Sequence, residues 1–251
     1  MSRIAVFDSG LGSLSIIKPI QKKIKTEIIY FADQDNFPYG TKSTSKLRKI
    51  IKSTIRKLEE KFEPDLIVIA SNTPSLLLNP KKQSKILGVY PPLEDAVEKT
   101  ITNSIAVLAT KSVVESKELE NYIKKQVPKR IRVIKINASS LVDLVESGKF
   151  ISKKELCKKK IRAILQLIQK ERVDVVTLSS THLPFLLPML KEIFPNVTFL
   201  DPADAVADKI ATLLHGKKES RYKLKIFASG NTTTFQKKLQ KLGIKNKVFP
   251  L

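Results

Sequence analysis

Three short clusters of polar residues carry the side chains that could do chemistry in this sequence. Each cluster follows an apolar run: Asp8-Ser9-Gly10, then Ser71-Asn72-Thr73, then Ser179-Ser180-Thr181-His182. Together they supply carboxylate, hydroxyl, amide and imidazole groups, which can bind a small polar substrate and move protons. Taken singly, Asp8, Ser71 and Ser180 would each serve as a helix N-cap, so the functional interpretation depends on the set.

Two common site types fit these clusters poorly. A hydrolytic triad could be drawn from Ser71 or Ser180 with His182 and Asp8. However, there is no Gly-x-Ser-x-Gly elbow, and His182 lies only two residues beyond Ser180. Gly10-Leu11-Gly12 resembles the start of a dinucleotide-binding turn, but Ser15 stands where the third glycine would be, and a Gly-Lys-Ser/Thr phosphate loop is absent. These glycines are better explained by a tight turn from strand to helix.

The elements that must position the clusters alternate between strand and helix. Near-continuous apolar strands separated by amphipathic helices are typical of parallel sheets covered on both faces, and ligands bind where such strands end. The predicted helices are 43–62, 111–126, 152–171 and 203–217. The predicted strands are 4–8, 27–32, 65–70, 86–90, 104–110, 131–136, 174–180, 197–200 and 224–229.

The segments SNTPSLLL and SSTHLPFLL are alike: each has a hydroxyl at a strand end, a polar pair, a proline and then an apolar helix start. This similarity indicates an internal repeat. The sequence therefore predicts an α/β protein of two similar parallel-sheet domains with the site at their interface. A weak helix break near residues 92–104 marks the boundary, which gives 1–95 with 205–251 as the first domain and 96–204 as the second.

Composition limits the remaining classes of function. The 46 Lys and Arg against 24 Asp and Glu give a net charge of +22, but the basic residues are spread along the chain and aromatic residues are only 6%. We therefore expect weak, non-specific nucleic-acid binding at most. One cysteine, Cys157, and two histidines exclude a disulfide framework and argue against a metal centre. With no membrane-spanning run and no visible secretion signal, a cytoplasmic location is expected.

Several longer segments carry a family resemblance. They are IAVFDSGLGSLSIIK, YFADQDNFPYGTKS, DLIVIASNTPS, IAVLATKSVVES, LVDLVESG and VTLSSTHLPFLLP. In this order and spacing they resemble glutamate racemase, in the aspartate/glutamate racemase superfamily, along essentially the whole chain. The resemblance implies two α/β domains with pseudo-twofold symmetry, and an isomerase that needs no metal, flavin or pyridoxal cofactor.

The resemblance also assigns roles to single residues. Ser71 and Ser180 match two cysteines of the family, of which one thiolate removes the Cα proton while the other thiol delivers a proton to the opposite face. Glu146 and His182 match the acidic and imidazole partners of the second thiol. Without the resemblance, Glu146 and His215 would be read as ordinary exposed helix residues. The matched substrate-contacting residues are Asp8 (which also supports the first thiol), Ser9, Pro38, Tyr39, Gly40, Asn72, Thr73 and Thr181.

This chain departs from the family pattern at its centre, since both cysteine positions hold serine. A thiol has a reference pKa near 8.5 and water one near 15.7, so a hydroxyl base costs roughly 10 kcal/mol more to ionise. Ordinary two-base racemisation should therefore be very slow. Val113 also stands where the family has a substrate-binding threonine, and Tyr90-Pro91 replaces a segment that carries a glutamate.

Three interpretations are open. The chain is an active racemase whose cysteines were deliberately replaced, or a natural member that binds a small acidic amino acid or dicarboxylate with impaired or altered chemistry, or a non-catalytic basic binding protein. The departures at Val113 and Pro91 favour the second, because an engineered trap would leave the rest of the pocket intact. A homodimer is a further possible assembly.

Overall fold

The computed structural model describes residues 2–78, 85–214 and 222–251, and its chain divides into two compact units. Domain 1 comprises Met1–Val89 and Ala203–Leu251, and domain 2 comprises Tyr90–Pro202. His215, expected on an exposed helix, lies outside the described residues.

Domain 1 is built on a six-stranded parallel sheet of order β10-β9-β2-β1-β3-β4. Both faces of its central strands are buried, which is why Arg3–Asp8 and Glu27–Ala32 are almost continuously apolar. The strands are β1 (Arg3–Asp8), β2 (Glu27–Ala32), β3 (Leu66–Ile69), β4 (Ile86–Gly88), β9 (Lys223–Ala228) and β10 (Val248–Pro250). The helices are α1 (Ser13–Lys23), α2 (Thr44–Phe62), α3 (Asn72–Leu78), α12 (Ala203–Leu213) and α13 (Thr232–Lys241).

Domain 2 is built on a four-stranded parallel sheet of order β6-β5-β7-β8. Its strands are β5 (Ser104–Ala109), β6 (Arg132–Asn137), β7 (Val175–Leu178) and β8 (Thr198–Leu200). Its helices are α4 (Leu93–Lys99), α5 (Lys111–Val114), α6 (Lys117–Gln126), α7 (Ser139–Glu146), α8 (Lys149–Ser152), α9 (Lys154–Ile164), α10 (Gln166–Lys170) and α11 (Leu187–Ile193).

The two sheets share one strand order. The run β2-β1-β3-β4 in domain 1 corresponds to β6-β5-β7-β8 in domain 2, so β3 and β7 occupy equivalent places. The similar segments noted in the sequence follow these two equivalent strands. The prediction of two parallel-sheet α/β domains is confirmed.

Several element boundaries differ from expectation. The stretch 111–126 is two helices, because Ser116 ends the first with a hydrogen bond from its Oγ to the Val113 carbonyl and caps the second by accepting from the Leu119 amide. The stretch 152–171 is likewise divided, into α9 and α10. Strand β10 was not predicted from the sequence. No helix in the described ranges is long and apolar enough to cross a membrane.

Candidate active site

The pairing of β1 with β3 brings two of the polar clusters to one sheet edge. Phe7 is in register with Ile69, and the Ala70 amide donates to the Phe7 carbonyl at 2.8 Å. Asp8, the last residue of β1, and Ser71, the second residue after β3, therefore lie at the carboxyl edge of the domain 1 sheet. This is the edge at which open α/β sheets bind ligands.

Asp8 and Ser9 form the part of this cluster that follows β1. The Ser9 amide donates to Asp8 Oδ1 at 2.6 Å, and the Ser9 hydroxyl lies 3.5 Å from the same oxygen. Both residues are buried. Helix α1 (Ser13–Lys23) begins five residues after Asp8, with Gly12 at its N-cap position.

Tyr39 lies in the loop after β2, between the half-buried Pro38 and Gly40. Its buried hydroxyl donates to Asp33 Oδ2 at 3.0 Å. Burial, followed by the negative charges of Asp33 and Asp8, raises the pKa of Tyr39 well above its usual range. Tyr39 therefore stays a neutral hydrogen-bond donor at physiological pH.

Asn72 begins α3 and is the least satisfied polar residue of this cluster. Its side chain is buried, with 2% of the residue exposed, and within the described part of the chain neither Nδ2 nor Oδ1 has a hydrogen-bond partner. Neighbouring Ser71 and Thr73 are also buried. A buried amide without partners costs about 1–3 kcal/mol, so this position favours a bound polar group.

The equivalent loop of domain 2 holds Ser180, Thr181 and His182, all buried. His182 Nε2 lies 3.1 Å from Oε2 of Glu146, the last residue of α7. Glu146 is only 4% exposed, so its interpretation as an ordinary exposed helix residue is wrong. The 3-10 turn at Leu183–Leu186 has His182 at its N-cap without a side-chain cap, so Ser180 does not cap it.

The residues at the two smaller departures expected from the resemblance, Val113 and Tyr90-Pro91, are packed within domain 2. Val113 is fully buried on α5 and contributes an apolar side chain. The Pro91 carbonyl accepts a hydrogen bond from the Tyr122 hydroxyl at 3.2 Å, and the Tyr90 ring stacks on Tyr122 with centroids 5.9 Å apart. These residues pack domain 2.

The structure thus gathers the predicted residues into two clusters, one in each domain. Sequence reasoning missed Asp33 and Ser229, which directly follow β2 and β9. Ser229 Oγ donates to Asp33 Oδ1 at 3.1 Å. The signal that could have found both residues is the one that found Asp8: a polar residue at the end of an apolar strand. The domain 1 cluster holds Asp8, Ser9, Pro38, Tyr39, Gly40, Ser71, Asn72 and Thr73, and the domain 2 cluster holds Glu146, Ser180, Thr181 and His182.

Comparison with known proteins gives this arrangement a family. The model of the Asp/Glu/Hydantoin racemase family matches residues 9–210. The chain belongs to the aspartate/glutamate racemase superfamily. It is 31% identical to a glutamate racemase of Actinobacillus pleuropneumoniae serotype 3 over 217 residues, which are 84% of this chain and 81% of the relative. It is 30% identical to a glutamate racemase of Thermoanaerobacter pseudethanolicus over 95% of this chain and 92% of the relative.

Solved glutamate racemases have the fold of this superfamily member. The RacE1 isoform from Bacillus anthracis superimposes with a TM-score of 0.87 at 24% identity, covering 100% of this chain and 97% of its own. The Escherichia coli enzyme, solved with L-glutamate and the activator UDP-MurNAc-Ala, gives a TM-score of 0.85 at 23% identity, with 100% and 98% covered.

The side chains present limit the chemistry open to this racemase homologue. Imidazole and carboxylate groups exchange protons near neutral pH, whereas serine hydroxyls do not ionise there. The described residues contain no group of three or more His, Cys, Asp or Glu side chains placed to hold a metal ion. The carboxylate and imidazole groups of the two clusters are Asp8 in domain 1 and the Glu146–His182 pair in domain 2.

Proposed function

We propose that this protein binds a small acidic amino acid or dicarboxylate, with Asn72 of the domain 1 cluster as a recognition group, and that its two-base proton transfer at Cα is severely impaired. Binding of glutamate is supported by the curated relatives, which are glutamate racemases, and by the Escherichia coli structure, which contains L-glutamate. The observation that carries the proposal is the unpaired amide of Asn72.

The Asn72 amide suits the head group of an amino acid. Its Nδ2 can donate to a carboxylate, and its Oδ1 can accept from an ammonium group. A ligand that supplies both partners removes the cost of the unsatisfied amide and so gains affinity. A ligand that lacks one of these groups leaves part of the buried amide unpaired and binds more weakly. The hydroxyl of Tyr39 is already committed to Asp33, so we assign Tyr39 to shaping the pocket.

Impaired proton transfer follows from Ser71 and Ser180, which match the family's two catalytic cysteines by sequence resemblance. Each is the second residue after its equivalent strand, β3 or β7. No cationic side chain in the described residues is hydrogen-bonded to either hydroxyl, and a neighbouring carboxylate would oppose ionisation further. The hydroxyls can bind substrate but are poor bases.

A second candidate function is favoured by the Glu146–His182 pair. The 3.1 Å contact with Glu146 Oε2 orients the buried imidazole of His182, and histidine is the side chain that most often serves as a general base in enzymes. A single base removes and returns the Cα proton from one face. The chemistry would then be proton exchange of one enantiomer without inversion.

Three measurements test these proposals. Isothermal calorimetry with L-glutamate, D-glutamate and succinate reports binding. Proton NMR in deuterated buffer reports Cα exchange, and chiral chromatography reports inversion. We expect measurable binding, negligible inversion in the parent protein, and gain of inversion in the Ser71→Cys/Ser180→Cys variant.

The matched control introduces cysteine at the exposed Ser53 of α2, where no activity should appear. Inversion by the parent at ordinary turnover, about 1–1000 per second, would contradict the impaired-transfer proposal. Exchange of one enantiomer without inversion would establish the second candidate. The absence of binding to any of the three ligands would refute the binding proposal. The source gene's coding sequence decides whether the two serines are natural.

A further inference from the structure

The turn after β9 holds the loop that carries Tyr39. Ser229 is 9% exposed, and its hydroxyl donates to Asp33 Oδ1 at 3.1 Å while accepting from the Asp35 amide at 3.1 Å. The Ser229 side chain thus hydrogen-bonds both the carboxylate of Asp33 and the backbone amide of Asp35, in the loop that carries Tyr39. The two partners lie almost two hundred residues earlier in the chain.

Asp33 passes this restraint on to Tyr39. Asp33 Oδ1 accepts from Ser229, and Asp33 Oδ2 accepts from the Tyr39 hydroxyl at 3.0 Å. The side-chain Nδ2 of Asn36 donates to both oxygens, at 2.9 and 3.0 Å. The Asp33 amide also donates to the Asp8 carbonyl at 2.8 Å. Asp33 therefore joins the loop to the ends of two other strands: its carboxylate bonds Ser229 after β9, and its backbone amide bonds Asp8 at the end of β1.

Gly230 allows the close approach of the two segments. Its φ of +69° lies in the left-handed region, which side chains rarely adopt. A Cβ at this position would stand 2.6 Å from Asp35 Oδ1, so that carboxylate would have to move. The exposed Asp35 side chain can rotate away, so the main cost of an alanine here is backbone strain at the positive φ, which would disturb the turn that holds Ser229.

A second connection runs through Gln34. Its Nε2 donates to the Ser9 carbonyl at 2.7 Å, and its Oε1 accepts from Lys238 Nζ of α13 at 3.4 Å. The C-terminal segment therefore contacts the site region at two points, once through Ser229 and once through Lys238. Both residues lie beyond residues 9–210, the part matched by the family model.

We propose that Ser229 is a positioning residue for the candidate site, acting through Asp33 on Tyr39, with Gly230 allowing the approach. This inference deepens the proposed function and rests on it for the identity of the ligand. It extends the site to a segment that the family match does not include.

The first test compares glutamate binding by Ser229→Ala, Ser229→Thr and the parent. Loss of a hydrogen bond to a buried carboxylate should raise the Kd about tenfold in Ser229→Ala, and restoring the hydroxyl in Ser229→Thr should recover most of the affinity. Gly230→Ala should also raise the Kd. The matched control is Ser2→Ala, which removes a buried hydroxyl bonded to Thr26 Oγ1 at the amino edge of the same sheet.

The second test needs no ligand. Amide hydrogen exchange at Thr41 and Lys42 reports how readily the loop opens, because their amides donate to the carbonyls of Pro38 and Tyr39 respectively. Ser229→Ala should speed their exchange about tenfold and Ser2→Ala should leave it unchanged, because exchange follows local opening.

The two tests separate the two proposals. If the parent binds none of the acidic ligands but loop exchange is still faster in Ser229→Ala, the positioning role is supported and only the proposed function is refuted. Unchanged loop exchange, or unchanged glutamate affinity in Ser229→Ala, would overturn the positioning role. Equal losses of affinity in Ser229→Ala and Ser2→Ala would also overturn it, because the effect would then be general destabilisation.

Discussion

The imidazole Nε2 of His182 and the carboxylate Oε2 of Glu146 lie 3.1 Å apart, and both side chains are buried in domain 2. Glu146 ends α7, and His182 follows β7 in the loop that also carries Ser180 and Thr181. A carboxylate in this position fixes the orientation of an imidazole and stabilises its protonated form. The contact therefore holds the His182 ring in one orientation beside the loop that carries Ser180.

Replacing the buried carboxylate of this pair should cost stability. We expect Glu146→Gln to lower the free energy of unfolding by about 1–3 kcal/mol, because a charge-assisted buried hydrogen bond is weakened. Urea denaturation measures the change. Glu118→Gln, at an exposed position on α6, is the control and should be neutral. Equal stability of Glu146→Gln and the parent would show that the contact contributes nothing to folding.

Asn72 should show a trade-off between stability and binding. Asn72→Ala removes a buried amide that has no partner in the described structure, so the ligand-free protein should be at least as stable as the parent. The same change should weaken glutamate binding about 10- to 100-fold, through the loss of two ligand hydrogen bonds.

Thermal unfolding and calorimetry measure the two effects on Asn72→Ala. Asn246→Ala is the control, because its exposed amide is satisfied by the Leu224 carbonyl in the same domain. The control should lose a little stability and no affinity. A marked loss of stability in Asn72→Ala, with binding unchanged, would contradict the assignment of this amide to ligand recognition.

Glu27 should make stability depend on acid pH. Burial alone would raise the pKa of Glu27, but hydrogen bonds from Lys225 and Arg3 and their positive charges outweigh it and hold that pKa below its usual value. Because the folded pKa is lowered, this stabilisation is complete above the unfolded value of about 4.3 and is lost as the pH falls through the folded value.

Glu27→Gln should therefore be less stable than the parent by about 2 kcal/mol at pH 7, with the difference shrinking steadily below about pH 4. Denaturation curves between pH 3 and 7 measure it. Glu60→Gln, at an exposed i,i+4 pair with Arg56, should show only a small difference at any pH. A constant difference for Glu27→Gln across this range would exclude the ion-pair explanation.

Single cysteine variants should act on opposite enantiomers. If Ser71 and Ser180 hold the family's two opposed positions, Ser71→Cys should promote Cα exchange of one glutamate enantiomer, and Ser180→Cys that of the other. Proton NMR in deuterated buffer, started from each pure enantiomer, distinguishes them. Exchange of the same enantiomer by both variants would show that the two positions do not face opposite sides of the substrate.

The positive charge should give only weak nucleic-acid binding. The lysines of 153–160 are largely exposed on and before α9, and a contact through about four of them should lose about 100-fold in affinity between 50 and 200 mM salt. Fluorescence anisotropy with unrelated DNA and RNA sequences measures this. Tight binding at physiological salt, abolished by neutralising these lysines and unaffected by Asp8→Asn, would favour the basic binding protein instead.

The sequence by itself determined strands β1 to β9, their parallel arrangement and the clusters around Asp8, Ser71 and Ser180. These features are local: an apolar run of four to six residues predicts a buried strand, and a polar residue after it marks the sheet edge. The family resemblance then identified Glu146 as a partner of the second cluster.

Only the tertiary structure decided which distant groups meet. The burial of Glu146 against His182, 36 residues away, and the bond between Ser229 and Asp33, 196 residues apart, depend on how α7 and β9 are placed in their domains. The sequence around Asn72 likewise contains nothing that predicts an amide without partners. Hydrogen bonding between distant side chains depends on angstrom-scale placement by packing, which local propensity and hydrophobic periodicity do not encode.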